Sequence, residues 1–199
     1  MNAQMTRIVD CADLLPGYAL KSRAEHEPEG IYQIILGKHL TGSLSYRYSE
    51  KHELRITPKR SVEKYRVRSG DVLFVSRGSR NHAAVVESVP DLTIASATFY
   101  ILHPRDGIDS GYLAWCLNQA SIQAQIGQVR TGAGTPIVQR KVFADLAIPV
   151  PSLEKQQQLA ALGDLMVQEQ HIRKKLVDET KKLHRVHGQQ LLHRMATKN

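Results

Sequence analysis

Residues 148–157 have the sequence IPVPSLEKQQ, and this stretch divides the chain into two parts with different patterns. Pro149 and Pro151 keep the residues before them out of the helical region, so the backbone is extended up to this point. Ser152 is a residue type that commonly caps a helix, and from there to Met195 the chain contains no proline. The stretch therefore predicts a junction between an extended segment and a long C-terminal helix.

The helix predicted after this junction has about 43 residues and would be roughly 65 Å long. A chain of 199 residues is one domain of ordinary size with an appendage, or two very small domains, and a domain of this size cannot cover a helix of that length. Most heptad positions are apolar, with polar interruptions at Glu169, Glu179, Gln190 and His193. We therefore expect much of the apolar face either to contact a partner chain or to be exposed. The candidate contact residues are Leu159, Leu162, Leu165, Met166, Ile172, Leu176, Leu183 and Val186.

The part before the junction has the short apolar runs and the turn residues of a strand-rich domain. The predicted strands lie in residues 31–36, 64–68, 72–75, 83–86, 93–95 and 98–102. Between Asp109 and Gln128 the apolar residues follow a helical period instead, which predicts one amphipathic helix. The predicted fold class is therefore α+β. A strand-rich globular domain with a few helices occupies residues 1–151, and a long helix that pairs with a partner occupies residues 152–199.

The chain is basic, with 27 Lys and Arg against 19 Asp and Glu and a net charge of +8. Residues 38–82 contain eleven basic and four acidic residues, so their charge of +7 is nearly the whole excess. A basic region concentrated in this way indicates a polyanionic partner, above all nucleic acid. A solvated face of lysine and arginine side chains is the alternative interpretation, because such faces are common.

The sequence has no motif of a catalytic or metal site. It lacks a glycine-rich phosphate loop, a dinucleotide-binding fingerprint and a Gly-x-Ser-x-Gly nucleophile motif. The nine histidines lack nearby acids or cysteines that would complete a tetrahedral set, and the two cysteines, Cys11 and Cys116, lie far apart. No stretch is apolar enough for a membrane span, and the first residues lack the apolar core of a signal peptide. We therefore expect a non-catalytic cytoplasmic protein without cofactor, metal or membrane contact.

Three polar clusters supply the side chains that DNA recognition uses. The segment from Arg77 to His82 follows a buried strand and offers two guanidinium groups and one amide within six residues. Tyr46 and Arg47 add an aromatic ring and a charge, and the glycine-rich segment after Arg130 presents backbone amides to a phosphate. The candidate DNA-contacting residues are Tyr46, Arg47, Lys51, Arg77, Ser79, Arg80, Asn81, His82, Arg130, Thr131, Gly132, Gly134, Thr135, Arg140 and Lys141.

The order of these motifs is similar to that in a known family. The motifs are Gly70-Asp71-Val72-Leu73-Phe74 with Arg77-Gly78, Tyr112-Leu113, Leu117-Asn118, Gly132-x-Gly134-Thr135, and IPVPSLEKQQ before a long helix. In this order they resemble the target recognition domain and the following conserved helix of type I restriction–modification specificity subunits. Members of full size have two recognition domains and two conserved helices. This chain has one of each and resembles a half-length specificity subunit.

The resemblance implies a non-catalytic DNA-recognition subunit whose partners, the methyltransferase (modification) and restriction subunits, carry out the chemistry. In the family the conserved helices pair antiparallel as a spacer. A half-length chain is therefore expected to form a homodimer through a coiled coil of its C-terminal helices. Two identical, inverted domains would recognise an interrupted palindrome in double-stranded DNA. Two alternatives stay open: a stand-alone DNA-binding regulator or decoy dimer, and a coiled-coil protein–protein adaptor.

Overall fold

The computed structural model describes residues 3–20, 22–40, 42–132 and 134–197. Twelve strands lie within these ranges: β1 Gln4–Arg7, β2 Ala12–Pro16, β3 Tyr32–Ile35, β4 Ser45–Arg47, β5 Arg55–Ile56, β6 Val72–Val75, β7 Ala83–Ser88, β8 Thr93–Ala95, β9 Phe99–Pro104, β10 Arg130–Thr131, β11 Ile137–Val138 and β12 Ala147–Val150. The α-helices in the same ranges are α1 Ile8–Cys11, α2 Ser110–Leu117, α3 Ala120–Gln128, α4 Arg140–Asp145 and α5 Leu153–Ala196. The α+β class with a long C-terminal helix is confirmed.

The central element is a five-stranded sheet with the order β2-β9-β6-β7-β4. Its pairs are antiparallel except for the edge pair β4 and β7, which is parallel. A three-stranded sheet, β5-β3-β8, lies beside it, and two short pairs, β1 with β12 and β10 with β11, complete the described strands. The pair of β1 and β12 brings the start of the described chain next to the segment that precedes α5.

The two faces of β6 contribute to two separate cores, because successive side chains of a strand point to opposite sides. Val72 and Phe74 pack with the helices, and the Phe74 ring stacks on Phe143 of α4 at 4.2 Å between centroids. Leu73 and Val75 pack on the other face in a second apolar cluster. A strand that is buried on both faces holds its ends in fixed positions, and one of these ends leads into the candidate site.

The chain divides into two units. The first extends to Ala161 and therefore contains the first turns of α5, while the second, from Leu162 onward, is the rest of that helix. A boundary at residues 151 and 152 stays a prediction. Within the described ranges, α5 is too polar to cross a membrane and the other helices are too short.

Two details of the predicted elements were wrong. The segment 64–68 is not a strand: Glu63–Tyr65 forms a 3₁₀ turn, and only Arg66 makes an isolated bridge, to Ile94. The single helix predicted between residues 109 and 128 is two helices, α2 and α3, separated at Asn118 and Gln119.

Candidate nucleic-acid interface

The loop between β6 and β7, residues 76–82, is fixed at its base by hydrogen bonds. The Val75 amide donates to the His82 carbonyl oxygen at 2.8 Å, and Asn81 Nδ2 donates to the Val75 carbonyl oxygen at 2.8 Å. Gly78 turns the loop with a φ of +105°, a conformation that favours glycine. The loop shape therefore depends on backbone groups, a glycine and one buried amide, and not on its exposed side chains.

The hairpin of β10 and β11 packs against this loop. The Gly78 amide donates to the Pro136 carbonyl oxygen at 2.8 Å, and Arg130 Nη1 donates to the Ser79 carbonyl oxygen at 2.8 Å. The hairpin turns at Gly132, whose φ is +100°. Two of the three predicted clusters, which are about fifty positions apart in the sequence, therefore form one surface.

We call this surface the basic loop surface. It consists of the exposed residues Arg77, Ser79, Arg80, Arg130, Thr131, Gly132, Gly134, Thr135, Arg140 and Lys141. Ala133, inside the predicted glycine-rich loop, lies outside the described residues. Within the described ranges, no carboxylate oxygen lies within 4.0 Å of any of its five basic side chains. Their positive charge is therefore available to an external anion.

The charges of Arg77 and Arg140 both act on the buried side chain of Tyr100. Its hydroxyl donates to the Val138 carbonyl oxygen at 2.6 Å. Burial raises the pKa of the Tyr100 hydroxyl, and the nearby charges of Arg140 and Arg77 act in the opposite direction. Both guanidinium groups therefore lie in electrostatic range of one buried hydroxyl.

A cleft of about 470 Å³ opens beside the loop. Its lining residues are Gly37, Leu40, Gly42, Val75, Arg77, Ser79, Arg80, His82 and Thr98. Among the described residues, the buried Nε2 of His82 has no hydrogen-bond partner. Burial, and then the charge of Arg80, lower the pKa of His82, so its imidazole is neutral at pH 7. The cleft thus presents two guanidinium groups, donors suited to a phosphate or to a base edge.

Two predicted DNA-contacting side chains lie in the interior, which corrects the predicted set. Tyr46 is 3% exposed and belongs to the second apolar cluster, because its strand, β4, places it on the inner face of the sheet. Its ring therefore cannot stack on a base. Asn81 is 6% exposed and uses its amide to close the loop, so its side chain supports the loop from the interior.

Arg47 and Lys51 lie apart from the basic loop surface. Arg47 pairs with Ser88 at the far end of β7, five residues from Ala83 and therefore roughly 17 Å along the strand. Its Nη2 lies 2.8 Å from Oε2 of Glu87, so this charge is neutralised within the chain. Lys51 is exposed on the 3₁₀ turn Glu50–His52. The structure does not join these two residues to the loop cluster.

Asn118 supports the loop and was missed as a functional residue in the sequence. At the end of α2 it donates to the Ala83 carbonyl oxygen at 2.8 Å and accepts from the Ala83 amide at 2.9 Å. Nδ2 of Asn118 also donates to the Ala114 carbonyl oxygen at 2.9 Å. Asn118 therefore clamps the residue at which the loop re-enters the sheet. Its sequence signals were its place in the Leu117-Asn118 motif and its polarity within an apolar helical pattern.

The junction before α5 is held by Gln156, which is 1% exposed. Its Nε2 donates to the carbonyl oxygens of Gly107 and Pro151, at 3.0 and 2.9 Å, and its Oε1 accepts from the Asp109 amide at 2.9 Å. Both N–H donors of the side chain and one of the two lone pairs of Oε1 are used. The first turn of α5 is therefore bonded to the loop that leads into α2.

The predicted contact residues of α5 divide between the two units, whose boundary lies between Ala161 and Leu162. Leu159 packs against the core of the first unit and is half-buried, so it is removed from the predicted partner-contacting set. The other large apolar side chains of the set are between 46 and 66% exposed. They are Leu162, Leu165, Met166, Ile172, Leu176, Leu183 and Val186.

Comparison with known proteins places the fold among specificity subunits. The fold is similar to the crystal structure of the type I restriction–modification S subunit from M. genitalium, with a TM-score of 0.54 and 16% identity over 84% of this chain and 38% of that chain. It is also similar to the HsdS subunit from Thermoanaerobacter tengcongensis, with a TM-score of 0.61 and 20% identity over 86% of this chain and 39% of that chain.

The sequence comparisons give the same result. The specificity subunit of the type I restriction enzyme MjaVIII from Methanocaldococcus jannaschii is 25% identical over 162 residues, which are 80% of this chain and 34% of that protein. The chain therefore spans less than half the length of these relatives.

A model of the type I restriction modification DNA specificity domain matches residues 2–174. This family is one of DNA specificity and not of catalysis, so at that level the prediction of a non-catalytic chain is confirmed. The match covers most of the sequence, and the chain belongs to the family of type I restriction modification DNA specificity domains.

Proposed function

We propose that this chain is the sequence-specific DNA-recognition subunit of a type I restriction–modification system, and that the basic loop surface contacts the DNA. The observation that carries the proposal is the packing of the β6–β7 loop on the β10–β11 hairpin. This packing brings Arg77, Arg80 and Arg130 onto one surface, and α4 begins with Arg140 and Lys141 directly after β11. None of the five has a carboxylate partner within the described ranges. A loop surface on a rigid sheet is a common arrangement for recognition.

The parts of this surface suit different contacts. Arg130, Arg140 and Lys141 are exposed charges on the hairpin and at the start of α4, as phosphate contacts require. Arg77 and Arg80 line the cleft and can donate two hydrogen bonds each to the guanine edge. We therefore assign orientation on the DNA to the first group and sequence discrimination to the second.

We further propose that two copies associate through α5. The support is the row of apolar side chains from Leu162 to Val186, about half or more of whose surface is exposed. A two-fold homodimer presents the same recognition domain twice in inverted orientation, so its target is an interrupted palindrome in double-stranded DNA. The domain division at residues 151 and 152 belongs to this proposal.

Methylation and cleavage require other chains. We propose that methyltransferase and restriction subunits bind this protein in the cytoplasm and supply that chemistry. Co-purification with a methyltransferase subunit is the expected result. A chain that binds DNA but captures no such subunit would instead be a stand-alone regulator or decoy.

The first test is selection of DNA from a random pool on the purified chain, followed by sequencing. We expect an interrupted palindrome. The double variant R77A/R80A should lose the enrichment, while R47A/R105A removes two arginines that are paired with Glu87 and Asp13 and should retain it. An equal loss in both variants would mean that binding follows net charge and not this surface.

The salt dependence of affinity gives a second, quantitative readout. Each phosphate contact contributes about 0.9 to the slope of log K against log salt. R77A/R80A should reduce the slope by at most about 1.8 per recognition domain if both arginines contact phosphates. If they contact bases, the affinity for the selected site falls with little change of slope. An unchanged affinity and an unchanged slope would refute the assignment.

A further inference from the structure

Charge is unevenly distributed along the second unit, the part of α5 from Leu162 onward. Residues 162–172 contain two acids and no lysine or arginine, whereas residues 173–185 contain six basic residues and two acids. The second stretch therefore has a net charge of +4 on about 18 Å of helix, and all of its side chains are exposed. A charge concentrated in this way indicates an external polyanion.

Three of these cations lie on the side of α5 opposite its apolar row. Each is nine residues from an apolar residue of the row, and nine residues make two and a half turns of helix. The opposite positions are Leu165 and Lys174, Ile172 and Lys181, and Leu176 and Arg185. We call Lys174, Lys181 and Arg185 the basic helix face. A chain that covers the apolar row leaves this face in solvent.

The cations of the basic helix face are unpaired within the described part of the chain. No carboxylate oxygen of the described residues lies within 4.0 Å of any of the three. Two neighbouring cations differ in this respect. Arg173 Nη2 lies 2.6 Å from Glu169 Oε1, and Lys182 Nζ lies 2.5 Å from Glu179 Oε1. The face therefore keeps the charge that its neighbours share with acids of the same helix.

We propose that the basic helix face binds the phosphate backbone of double-stranded DNA, whatever its base sequence. This inference rests on the proposed function and adds a second DNA contact to that of the basic loop surface. Lys174 and Arg185 are about 17 Å apart along the helix axis, a length over which duplex DNA carries about ten negative charges. Lysine is a point charge on a flexible stem, so it can follow phosphates beside any bases.

The composition of the face favours DNA over a protein partner. The centre of a protein interface is rich in apolar and aromatic side chains and poor in lysine. The helix positions in line with the basic helix face include no large apolar side chain between Gln170 and Gly188. Phosphate contacts require exposed charge and no apolar surface, which is what this side of the helix offers.

The position of the face favours DNA over a membrane surface. An amphipathic helix on a membrane buries its apolar side at the boundary between headgroups and acyl chains. The basic helix face lies half a turn away from the apolar row, so its cations would point away from a membrane that the row entered. DNA is the occupant that agrees with both composition and position.

Asp178 provides a test of opposite sign. This exposed acid lies between Lys174 and Lys181 on the same side of the helix, and its charge acts on Lys182. Its carboxylate would repel a phosphate bound to the face. D178N should therefore bind duplex DNA about twofold more tightly at low salt. Weaker binding by D178N than by wild type would contradict the proposal.

The main experiment measures binding of the purified full chain to two duplexes at low salt, one with the selected site and one of random sequence. The helix variant K174Q/K181Q/R185Q removes the three charges and keeps residues of similar helix propensity. Its affinity for both duplexes should fall at least about tenfold, and the slope of log K against log salt should decrease by up to about 2.7. K174R/K181R/R185K keeps the charges and should bind as wild type does.

A matched control removes three positive charges elsewhere. R7Q/R47Q/R105Q replaces exposed arginines that are already paired with carboxylates, and it should bind both duplexes as wild type does. The partners of these arginines are Asp10, Glu87 and Asp13. An equal loss in this control and in the helix variant would mean that binding follows net charge, and would overturn the proposal.

The remaining outcomes separate this inference from the proposed function. A wild-type chain that binds neither duplex overturns both. If R77A/R80A loses the selected site while the helix variant equals wild type in affinity and slope, this inference alone falls. If the helix variant keeps its DNA affinity but no longer binds vesicles of phosphatidylserine and phosphatidylcholine, or no longer co-purifies with a methyltransferase subunit, the face belongs to that partner and the inference also falls.

Discussion

The hydrogen bonds of Gln156 predict a large and local effect of one substitution. Gln156→Ala removes three hydrogen bonds, to Gly107, Asp109 and Pro151. Each such bond contributes about 0.5–1.5 kcal/mol net, so we expect the free energy of unfolding of the first unit to fall by about 3 kcal/mol. This is a large fraction of the 5–15 kcal/mol typical of a domain.

The assay is urea unfolding followed by fluorescence. Trp115 is the only tryptophan of the chain, and it packs against the core of the first unit. Gln157→Ala is the matched control, because the neighbouring glutamine has the same chemistry but an exposed side chain. It should change the free energy by less than about 0.5 kcal/mol.

A third variant separates hydrogen bonding from shape. Gln156→Glu keeps the size of the side chain but replaces its nitrogen donor by an oxygen that faces the carbonyl oxygens of Gly107 and Pro151. It should destabilise at least as much as Gln156→Ala. If either Gln156 variant loses less than about 1 kcal/mol, the three bonds do not hold the junction and the reasoning fails.

Two further predictions concern residues outside the surface itself. Asn118→Ala should weaken the binding of the selected DNA site without removing any exposed charge, because the Ala83 backbone at the base of the loop loses its two hydrogen bonds to this side chain. If the variant binds this site as tightly as wild type does, the support of the loop by Asn118 is not needed for recognition. His103 donates a 2.6 Å hydrogen bond to the buried Asp71, and this bond raises the pKa of His103. A raised pKa means that the stabilisation is complete below about pH 6.5 and is lost as pH rises through the folded-state value, so wild type should lose stability relative to His103→Gln between pH 6 and 9. Parallel stability curves would contradict the assigned pair.

The sequence predicted the elements that depend on a local pattern. Val72–Val75 is an uninterrupted apolar run between turn residues, and it forms β6 with the predicted bounds. The long helix begins directly after Ser152, because the prolines before it prevent an earlier start. In both cases neighbouring residues alone determine the structure.

The wrong predictions concern segments whose conformation depends on contacts with residues that are distant in the sequence. The alternation in residues 64–68 is a strand pattern, but the segment pairs with another strand only at Arg66. The helix predicted over residues 109–128 is interrupted at Gln119, whose backbone is extended, and the side chain of the preceding Asn118 bonds to Ala83 on β7, a contact with no local signal. Tertiary contacts override local preference in such places.

The candidate site was predictable as segments but not as a surface. Arg77 and Arg130 were identified from residue type and from nearby glycines. That they share one surface depends on the bond of Arg130 to Ser79, which joins distant parts of the chain. Tyr46 was misassigned because its polar neighbours suggested a loop, whereas β4 turns its ring into the core.

The way in which the β6–β7 loop is fixed has a consequence for how such a protein changes its target over generations. Its shape is determined by Gly78, Asn81 and backbone groups, while Arg77, Ser79 and Arg80 are exposed and determine no part of the fold. Substitutions at the exposed positions are therefore expected to alter the preferred bases with little loss of stability. New specificities can then arise by single mutations without compensating changes elsewhere. A library randomised at these three positions should consist mostly of folded proteins with different targets.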